Sequence, residues 1–267
     1  MRRQWLFNRA VRGNNSYSTG TASLGVPDTL PNLFAWYRAD LGITLNGSNV
    51  SAWADQKAPA QDGVQGTAVN QPPWVSSDAN FNNNSSIGPF DASNDSINFG
   101  STANEWNFMH DGSGMTVALV FRTGSFAAIR RIFDSQNANN FTRGVSIFTT
   151  AATPSVLNVV MGNGSAATVS LSTTASITAN TLYRMTFRHQ TTQTPDYTML
   201  INGTTRTGNN LAATSSSDAS FVPCVGKGVS GGSQPFDGYV AEVIVYNGYL
   251  SDADNTTLHT YLSGRYT

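Results

Sequence analysis

The sequence predicts an all-β fold, an antiparallel sandwich of the jelly-roll type, with an extended N-terminal arm and one short C-terminal helix. Charged residues make up 12% of the 267 residues and Gly occurs 24 times, a composition typical of turn-rich β proteins. Helices are disfavoured, since the chain has only two Glu and two Lys. Short β-like runs are separated by turn residues at spacings that suit one sandwich domain.

The N-terminal segment is predicted to be an arm at residues 1–27, ahead of a sandwich domain at residues 28–267. Residues 1–25 lack any apolar period. The arm's four arginines precede the first acid, and residues 26–267 carry eleven basic and sixteen acidic groups, a net charge of −5. The candidate anchors to a partner are these arginines and two aromatic residues: Arg2, Arg3, Trp5, Phe7, Arg9 and Arg12. So few arginines form a weak electrostatic footprint, which argues against nucleic acid as the partner.

The body of the chain contains eleven runs that favour β-strands. They are residues 34–39, 50–54, 96–99, 115–122, 131–133, 145–149, 156–161, 168–171, 182–189, 197–201 and 239–246. Asn163-Gly164 and Asn202-Gly203 lie between successive runs, and both dipeptides suit the positive φ angles of a two-residue type I′ turn. We therefore expect two tight hairpins between sequential antiparallel strands.

Alternating residue types predict antiparallel sheets with one face in contact with water. The run 115–122 has apolar residues at 115, 117, 119 and 121, which form one face. The run 182–189 alternates more sharply, because three apolar residues are interleaved with Arg184, Thr186 and Arg188. These three polar residues are expected on a solvent-exposed face.

One helix is predicted at residues 251–263. Ser251 is a suitable N-cap, and Asp252 and Asp254 suit the positive end of the helix. Apolar residues at 258, 261 and 262 would pack the helix on the rim of the sandwich, and Gly264 would end it.

The sequence lacks the features of an export signal or a membrane span. The apolar residues 5–7 are interrupted at Asn8-Arg9, and no later run approaches the length of a span. Cys224 is the only cysteine, so an intrachain disulfide is excluded.

Several segments resemble the concanavalin A-like lectin and laminin G-like jelly rolls, particularly those found in phage virion proteins and bacterial surface proteins. The segments LFAWYRADLG and VSAWAD are similar to the family's first strands, and PFDASNDSINF resembles the turn into the next strand. YTMLING is similar to its Asn-Gly hairpin, and FDGYVAEVIVY to its last strand before a closing helix. In order, these segments lie at residues 33–42, 50–55, 89–99, 197–203 and 236–246.

The resemblance implies two stacked antiparallel sheets with a glycan-binding or protein-binding role, although fold does not fix function. A virion protein accounts for an adhesion-type fold without an export signal, because particles assemble in the host cytoplasm and act outside the cell. We therefore expect a surface protein of a tailed phage, either a capsid decoration protein or a tail-associated adhesin, which contacts other virion proteins through residues 1–25 and host-surface glycans through the sandwich. The alternatives are a bacterial carbohydrate-binding module and an inactive glycosidase-like jelly roll. Homo-oligomerisation stays open.

Two glycine motifs near residue 230 formally match nucleotide-binding and hydrolase patterns. Residues 226–231 have the spacing G-x-G-x-x-G, and residues 228–232 have the spacing G-x-S-x-G with Ser230 at the nucleophile position. Both patterns need a helix directly after the glycines, whereas the chain continues into SQPFDG. A loop is the better interpretation, and no catalytic residue is predicted.

A glycosidase on this fold would need two carboxylates about 5–10 Å apart. Glu105 and Glu242 lie 137 positions apart, and neither has an acidic residue two or four positions further on. A non-enzymatic protein is therefore expected, with an aspartate pair assembled by the fold as the remaining enzymatic alternative. Glu242 is expected to be hydrogen-bonded to loop backbone at the edge of its strand.

The other candidate ligand residues are few. Asp91, Asn94 and Asp95 could bind calcium, but Asx side chains also form turns unaided, so no cofactor or metal is predicted and calcium is the alternative. The three histidines lack the spacing of metal ligands and are expected to be surface or capping residues: His110, His189 and His259. Trp74 and Trp106 flank loops and are candidate glycan contacts, whereas Trp36 and Trp53 lie in predicted strands and are expected in the core.

Overall fold

The computed structural model describes residues 25–91, 93–136, 143–151, 154–163, 167–172, 176–208, 221–228 and 234–267. The predicted anchors Arg2, Arg3, Trp5, Phe7, Arg9 and Arg12 lie outside these residues. The described chain forms two antiparallel sheets with a C-terminal helix, which confirms the predicted fold class.

Eight strands of the described chain form sheet 1. In spatial order they are β15 (Thr204–Gly208), β14 (Tyr197–Ile201), β13 (Leu182–His189), β8 (Met115–Thr123), β17 (Asp237–Tyr246), β6 (Asn84–Asp91) and β5 (Trp74–Asp78), with β1 (Leu33–Arg38) also paired to β17. The two halves of one edge of β17 pair with different strands, the first with β6 and the second with β1.

Nine strands of the described chain form sheet 2. In spatial order they are β12 (Ala167–Ser172), β11 (Leu157–Asn163), β10 (Arg143–Thr149), β9 (Arg130–Asp134), β16 (Cys224–Val225), β7 (Ile97–Phe99), β4 (Gly63–Val64), β3 (Asn49–Trp53) and β2 (Ile43–Asn46). Each of the eleven predicted runs overlaps an observed strand. The eleven runs do not include β2, β4, β5, β6, β15 or β16.

The main core lies between the two sheets. In β8 the apolar residues predicted to share a face all point into it: Met115, Val117, Leu119 and Phe121. The indole of Trp53 is fully buried there, as predicted. Short helical segments complete the described chain: α1 (Val26–Thr29) and 3-10 turns at Ala68–Asn70, Ala79–Phe81 and Ala103–Met109. Helices in the described residues fall short of the length and apolar character that a membrane span requires.

Helix α2 (Asp252–Arg265) begins where the sequence predicts, because the Ser251 hydroxyl accepts a hydrogen bond from the Asp254 backbone N–H at 3.1 Å. Its position differs from the prediction. Leu258 and Leu262 pack against the outer face of sheet 1, in a second apolar cluster that also contains Trp36, rather than on the rim of the sandwich. Sheet 1 is therefore covered on both faces along α2.

This position of α2 corrects the prediction for the polar face of β13. Thr186 and Arg188 were expected in water, but both are buried beneath the helix. The Thr186 hydroxyl donates to the Asn255 side-chain oxygen at 2.7 Å, so the burial is compensated by a hydrogen bond.

The structure confirms one predicted hairpin. Between β14 and β15, Asn202 and Gly203 have φ angles of +44° and +84°, as a type I′ turn requires. Strands β11 and β12 are also antiparallel neighbours, but Gly164 of the other predicted turn lies outside the described residues.

Residue 27, which lies before the predicted domain boundary at residue 28, also packs against the sandwich. Pro27 is buried, and its carbonyl accepts a hydrogen bond from the Tyr246 hydroxyl at 3.1 Å.

Candidate binding groove

A solvent-accessible groove runs along the outer face of sheet 1, between helix α2 and the edge strand β15. Side chains of a strand alternate between faces, and the register pairs Thr198 with Thr207 and Leu200 with Thr205. These four side chains form the floor of the groove. We call this feature the α2 groove, and it is also lined by Arg188, Tyr249, Ser251, Asp252, Asn255, Thr256 and His259.

The α2 groove consists of three cavities that share residues. The cavity at the start of α2 has a volume of about 470 Å³ and extends to the turn containing Pro195. A middle cavity of about 250 Å³ lies beside Asn255, and one of about 510 Å³ reaches Gly203 and Gly264. The floor strand β14 has five residues and so spans about 17 Å. The groove is therefore elongated rather than compact.

Half of the residues that line the groove carry a hydroxyl, whereas the cavity beside Leu200 and His259 is mainly apolar. Threonine or serine hydroxyls come from the floor strands, from helix α2 and from its N-cap, and a hydroxyl can both donate and accept a hydrogen bond. Those of Ser251 and Thr256 already donate, to Asp254 Oδ2 at 2.7 Å and to the Asp252 carbonyl at 2.8 Å, and can accept from a ligand. Thr205 and Thr207 in the floor, and Thr256 in the helix, are exposed.

Arg188 is the central cation of the groove, and its guanidinium is held from three sides. Nε donates to the Thr198 hydroxyl at 2.9 Å and Nη1 donates to the Leu250 carbonyl at 2.7 Å. Nη2 donates to Asp252 Oδ1 at 2.8 Å. The guanidinium carbon also lies 4.6 Å from the ring centroid of Tyr249, a cation–π contact. The side chain is only 5% exposed, whereas that of Asp252 is 93% exposed.

His259 lies at the other end of the groove, where α2 faces Leu200. Burial lowers the pKa of His259 to about 4, in spite of a hydrogen bond with the Leu200 backbone that acts in the opposite direction. The imidazole is therefore neutral at pH 7.

The sequence analysis did not find this site. Arg188 was recognised only as a polar residue of a β-strand, and Asp252 only as a helix-start residue, so nothing in the sequence linked them. Tyr249 was not considered. The one signal was the position of the helix directly after β17, which brings residues 249–252 back over sheet 1.

The two tryptophans predicted to contact glycans do not line the α2 groove. Trp106 is fully buried, with its ring centroid 4.9 Å from that of Phe34, so it offers no surface to a ligand and this prediction was wrong. Trp74 is partly buried against the main core, and its Nε1 donates to the Ala39 carbonyl at 2.8 Å. Its role as a glycan contact stays a prediction.

The two glutamates lie in contrasting environments. Glu105 is exposed on a 3-10 turn, whereas Glu242 is fully buried beneath α2. Glu242 Oε1 accepts hydrogen bonds from Trp36 Nε1 at 2.6 Å and from the Tyr261 hydroxyl at 2.9 Å. Its partners are thus a side chain of β1 and a side chain of α2, and the predicted bonds to loop backbone at the strand edge were wrong. Burial raises the pKa of Glu242, because the ionised carboxylate is unfavourable away from water. The side chain is fully buried, so a ligand cannot reach it.

The predicted calcium residues form a turn at the end of β6. Asp91 Oδ1 accepts a hydrogen bond from the Ser93 backbone N–H at 3.1 Å, which is an Asx turn. Burial and the nearby charge of Asp91 raise the pKa of Asp95 to about 6. Within the described residues, no group of three or more His, Cys, Asp or Glu side chains could hold a metal ion. Calcium binding stays an untested alternative.

The histidines are more buried than the sequence suggested. His110, His189 and His259 are all buried, so their assignment to the surface was wrong. Of the glycine motifs, Gly226 is described and has a φ angle of +98°, whereas Ser230 lies outside the described residues.

Comparisons with known structures reveal distant similarity. The Trypanosoma rangeli sialidase in complex with sialic acid is 14% identical, with a TM-score of 0.57, over 87% of this chain and 33% of that one. The Ruminococcus gnavus IT-sialidase CBM40 bound to α2,3-sialyllactose is 18% identical, with a TM-score of 0.44, over 58% of this chain and 83% of that one. The NanB sialidase from Streptococcus pneumoniae is 18% identical, with a TM-score of 0.46, over 64% of this chain and 27% of that one.

Comparison of the sequence with protein families identifies the family of the chain. No curated protein matches the chain. A family model described as the concanavalin A-like lectin/glucanases superfamily matches residues 91–254, which run from the end of β6 to the first turn of α2. The two-sheet architecture and this match over more than half of the chain show that the protein belongs to the concanavalin A-like lectin/glucanases superfamily.

Proposed function

We propose that the protein binds glycans in the α2 groove. The observation that carries the proposal is the lining of the groove, in which rows of hydroxyls, an Arg–Asp pair and a tyrosine line one elongated surface. Sugars present many hydroxyls that both donate and accept hydrogen bonds, so a hydroxyl-rich lining matches them. The superfamily and the lectin-like fold support the same function.

The hydroxyls at the start of α2 and along β15 disfavour the main alternative type of ligand. Sites for drug-like small molecules are mostly apolar, with a few polar groups that fix orientation. Leu200 and the ring of Tyr249 contribute apolar surface to the α2 groove. An amphipathic ring such as that of Tyr249 suits a ligand that is polar at its edges and apolar on its faces.

We further infer that the groove binds glycans without cleaving them. Most glycoside hydrolases use two carboxyl groups about 5–10 Å apart on either side of the scissile bond, and sialidases with a tyrosine nucleophile are an exception. Asp252 is the carboxylate among the described residues that line the groove. The relation of the chain to sialidase structures is a likeness of fold, and fold does not determine chemistry.

The proposed biological setting is the surface of a tailed-phage particle. What supports it is the charge distribution of the sequence, with arginines before residue 13 and a body of net charge −5. The arm would bind another virion protein, and the sandwich would present the α2 groove to host-surface glycans. A free bacterial carbohydrate-binding module would use the same groove without such an anchor.

The groove assignment is tested by removing the two exposed floor hydroxyls while keeping the shape of the side chains. Binding would be measured on a glycan array. We expect the double substitution Thr205→Val and Thr207→Val to weaken binding to the glycans on the array about tenfold, because each lost hydrogen bond contributes about 0.5–1.5 kcal/mol. Thr44→Val, at an exposed position of β2 in sheet 2, is the matched control and should bind as the wild type does. Unchanged binding by the double variant would place the site elsewhere.

The virion setting has its own test. Deleting residues 1–25 should abolish incorporation of the protein into phage particles, measured by quantitative immunoblotting of purified virions, while glycan binding by the isolated protein is retained. Incorporation at the wild-type level would show that the arm is not the anchor.

A further inference from the structure

The charges that face the α2 groove cancel one another. Among the described residues that line it, Arg188 and Asp252 are the charged side chains, and they form an ion pair with a separation of 2.8 Å. His259 is neutral at pH 7, because burial lowers its pKa to about 4. The residues that line the groove therefore offer a ligand no unmatched positive charge, and the nearby Arg184, which lies outside the lining, donates to the Tyr266 carbonyl at 2.8 Å.

Each of the three nitrogens of the Arg188 guanidinium already donates a hydrogen bond within the protein. Asp252 Oδ1 lies where a carboxylate of a ligand would bind, and the Thr198 hydroxyl and the Leu250 carbonyl accept hydrogen bonds from the other two nitrogens. A bidentate pair between a ligand carboxylate and Arg188 would have to displace Asp252.

The N-terminus of helix α2 adds no attraction for anions. The cavity of about 470 Å³ includes Ser251 and Asp252, so the positive end of the helix opens onto the groove. However, Asp252 and Asp254 both lie in the first turn and oppose the positive helix dipole. The nearly full exposure of Asp252 also places its negative charge at the mouth of the groove, where it would repel an acidic ligand.

We propose that the α2 groove selects neutral oligosaccharides over glycans that carry a carboxylate, and that Asp252 is the residue that determines this specificity. The proposal rests on the proposed function and refines its ligand class. The Arg188–Asp252 pair presents donors and an acceptor side by side. Such a pair matches neighbouring hydroxyls of a neutral sugar, each of which can accept from one partner and donate to the other.

The experiment compares wild type and Asp252→Ala on matched pairs of glycans, in which one member carries an additional acidic sugar, such as lactose and 3′-sialyllactose. Wild type should bind the neutral members more strongly. Asp252→Ala removes the repulsion and frees Arg188, so it should raise the binding of acidic relative to neutral members by roughly tenfold at low salt. Addition of salt should reduce this gain.

Two variants make the result specific. Asp254→Ala removes a negative charge from the same helix turn outside the groove lining and leaves the Arg188–Asp252 pair intact, so it should raise the acidic-to-neutral ratio much less than Asp252→Ala does. Asp252→Asn removes the negative charge but keeps an acceptor near Arg188, so it should raise the acidic-to-neutral ratio in the same direction as Asp252→Ala but by less, which guards against misfolding of one variant.

The outcomes separate this inference from the proposed function. Stronger binding of acidic members by wild type, or an unchanged ratio in both Asp252 variants, would overturn the specificity while leaving glycan binding intact. An equal shift in Asp254→Ala would also overturn it, because a general field effect would then explain the change. Absence of glycan binding by wild type would overturn both.

Discussion

At the scale of single residues, the environment of a side chain decides its chemistry more than its type does. Arg188 and Asp252 illustrate this, because neither residue is unusual in the sequence, yet the fold joins a nearly buried guanidinium to an exposed carboxylate in an ion pair. Trp36 and Trp53 were correctly predicted in the core, since they lie in apolar strands. Trp106 was not, because a loop-flanking position in the sequence does not reveal that its 3-10 turn folds inward against Phe34.

Asp95 gives a pH-dependent prediction at this scale. Its pKa is raised to about 6 by burial and by the charge of Asp91, above the value of about 3.9 in an unfolded chain. Well below the unfolded-state pKa, at about pH 3 or less, the carboxyl is protonated in both states. As pH rises from 4 to 6, the unfolded state loses its proton first, so the contribution of Asp95 to stability falls and remains unfavourable above pH 6.

We therefore expect Asp95→Asn to be more stable than wild type at pH 7, by about 1 kcal/mol after solvent screening is allowed for. This advantage should shrink as the pH falls towards 4. Urea unfolding at a series of pH values measures the difference. The exposed Glu105→Gln should show no such trend, and a constant difference between Asp95→Asn and wild type at all pH values would contradict the account.

At the scale of elements, helix α2 shows what the sequence can and cannot predict. Its start and approximate length were predicted, because the Ser251 cap and the apolar residues 258 and 262 are local signals. Its docking on sheet 1 was not, because the buried side of the helix also carries the polar residues Asn255 and His259. Their hydrogen-bonding partners lie on strands distant in sequence, so the helix pattern alone does not identify them.

The bond between α2 and the buried Glu242 should contribute measurably to stability. Tyr261→Phe keeps the ring but removes the hydroxyl that donates to Glu242 Oε1 at 2.9 Å. We expect a loss of about 1–3 kcal/mol in the free energy of unfolding, because a buried carboxylate loses a donor. Thr257→Ala, on the exposed side of the same helix, should change stability by less than about 0.5 kcal/mol. Equal stabilities of Tyr261→Phe and wild type, measured by urea unfolding, would show that this bond is not required.

At the scale of the whole molecule, the two sheets have different surroundings. Sheet 1 is enclosed between the main core and α2 along part of its length, and the α2 groove forms where the helix no longer covers the sheet, over β14 and β15. Local patterns predicted the sandwich, because period-two alternation and the hairpin at Asn202-Gly203 can each be recognised from a few consecutive residues. The groove joins strands near residue 200 to a helix near residue 255, and this long-range pairing is not encoded in any local pattern.

The most direct test of the central claim is to locate a bound glycan on the molecule. Isotope-labelled protein would be titrated with an oligosaccharide that binds in the array, and amide chemical-shift changes would be mapped onto the fold. Changes concentrated at Thr205, Thr207, Tyr249, Asp252 and Thr256 are predicted. Changes concentrated on sheet 2 or around Trp74, with none along α2, would contradict the assignment of the groove.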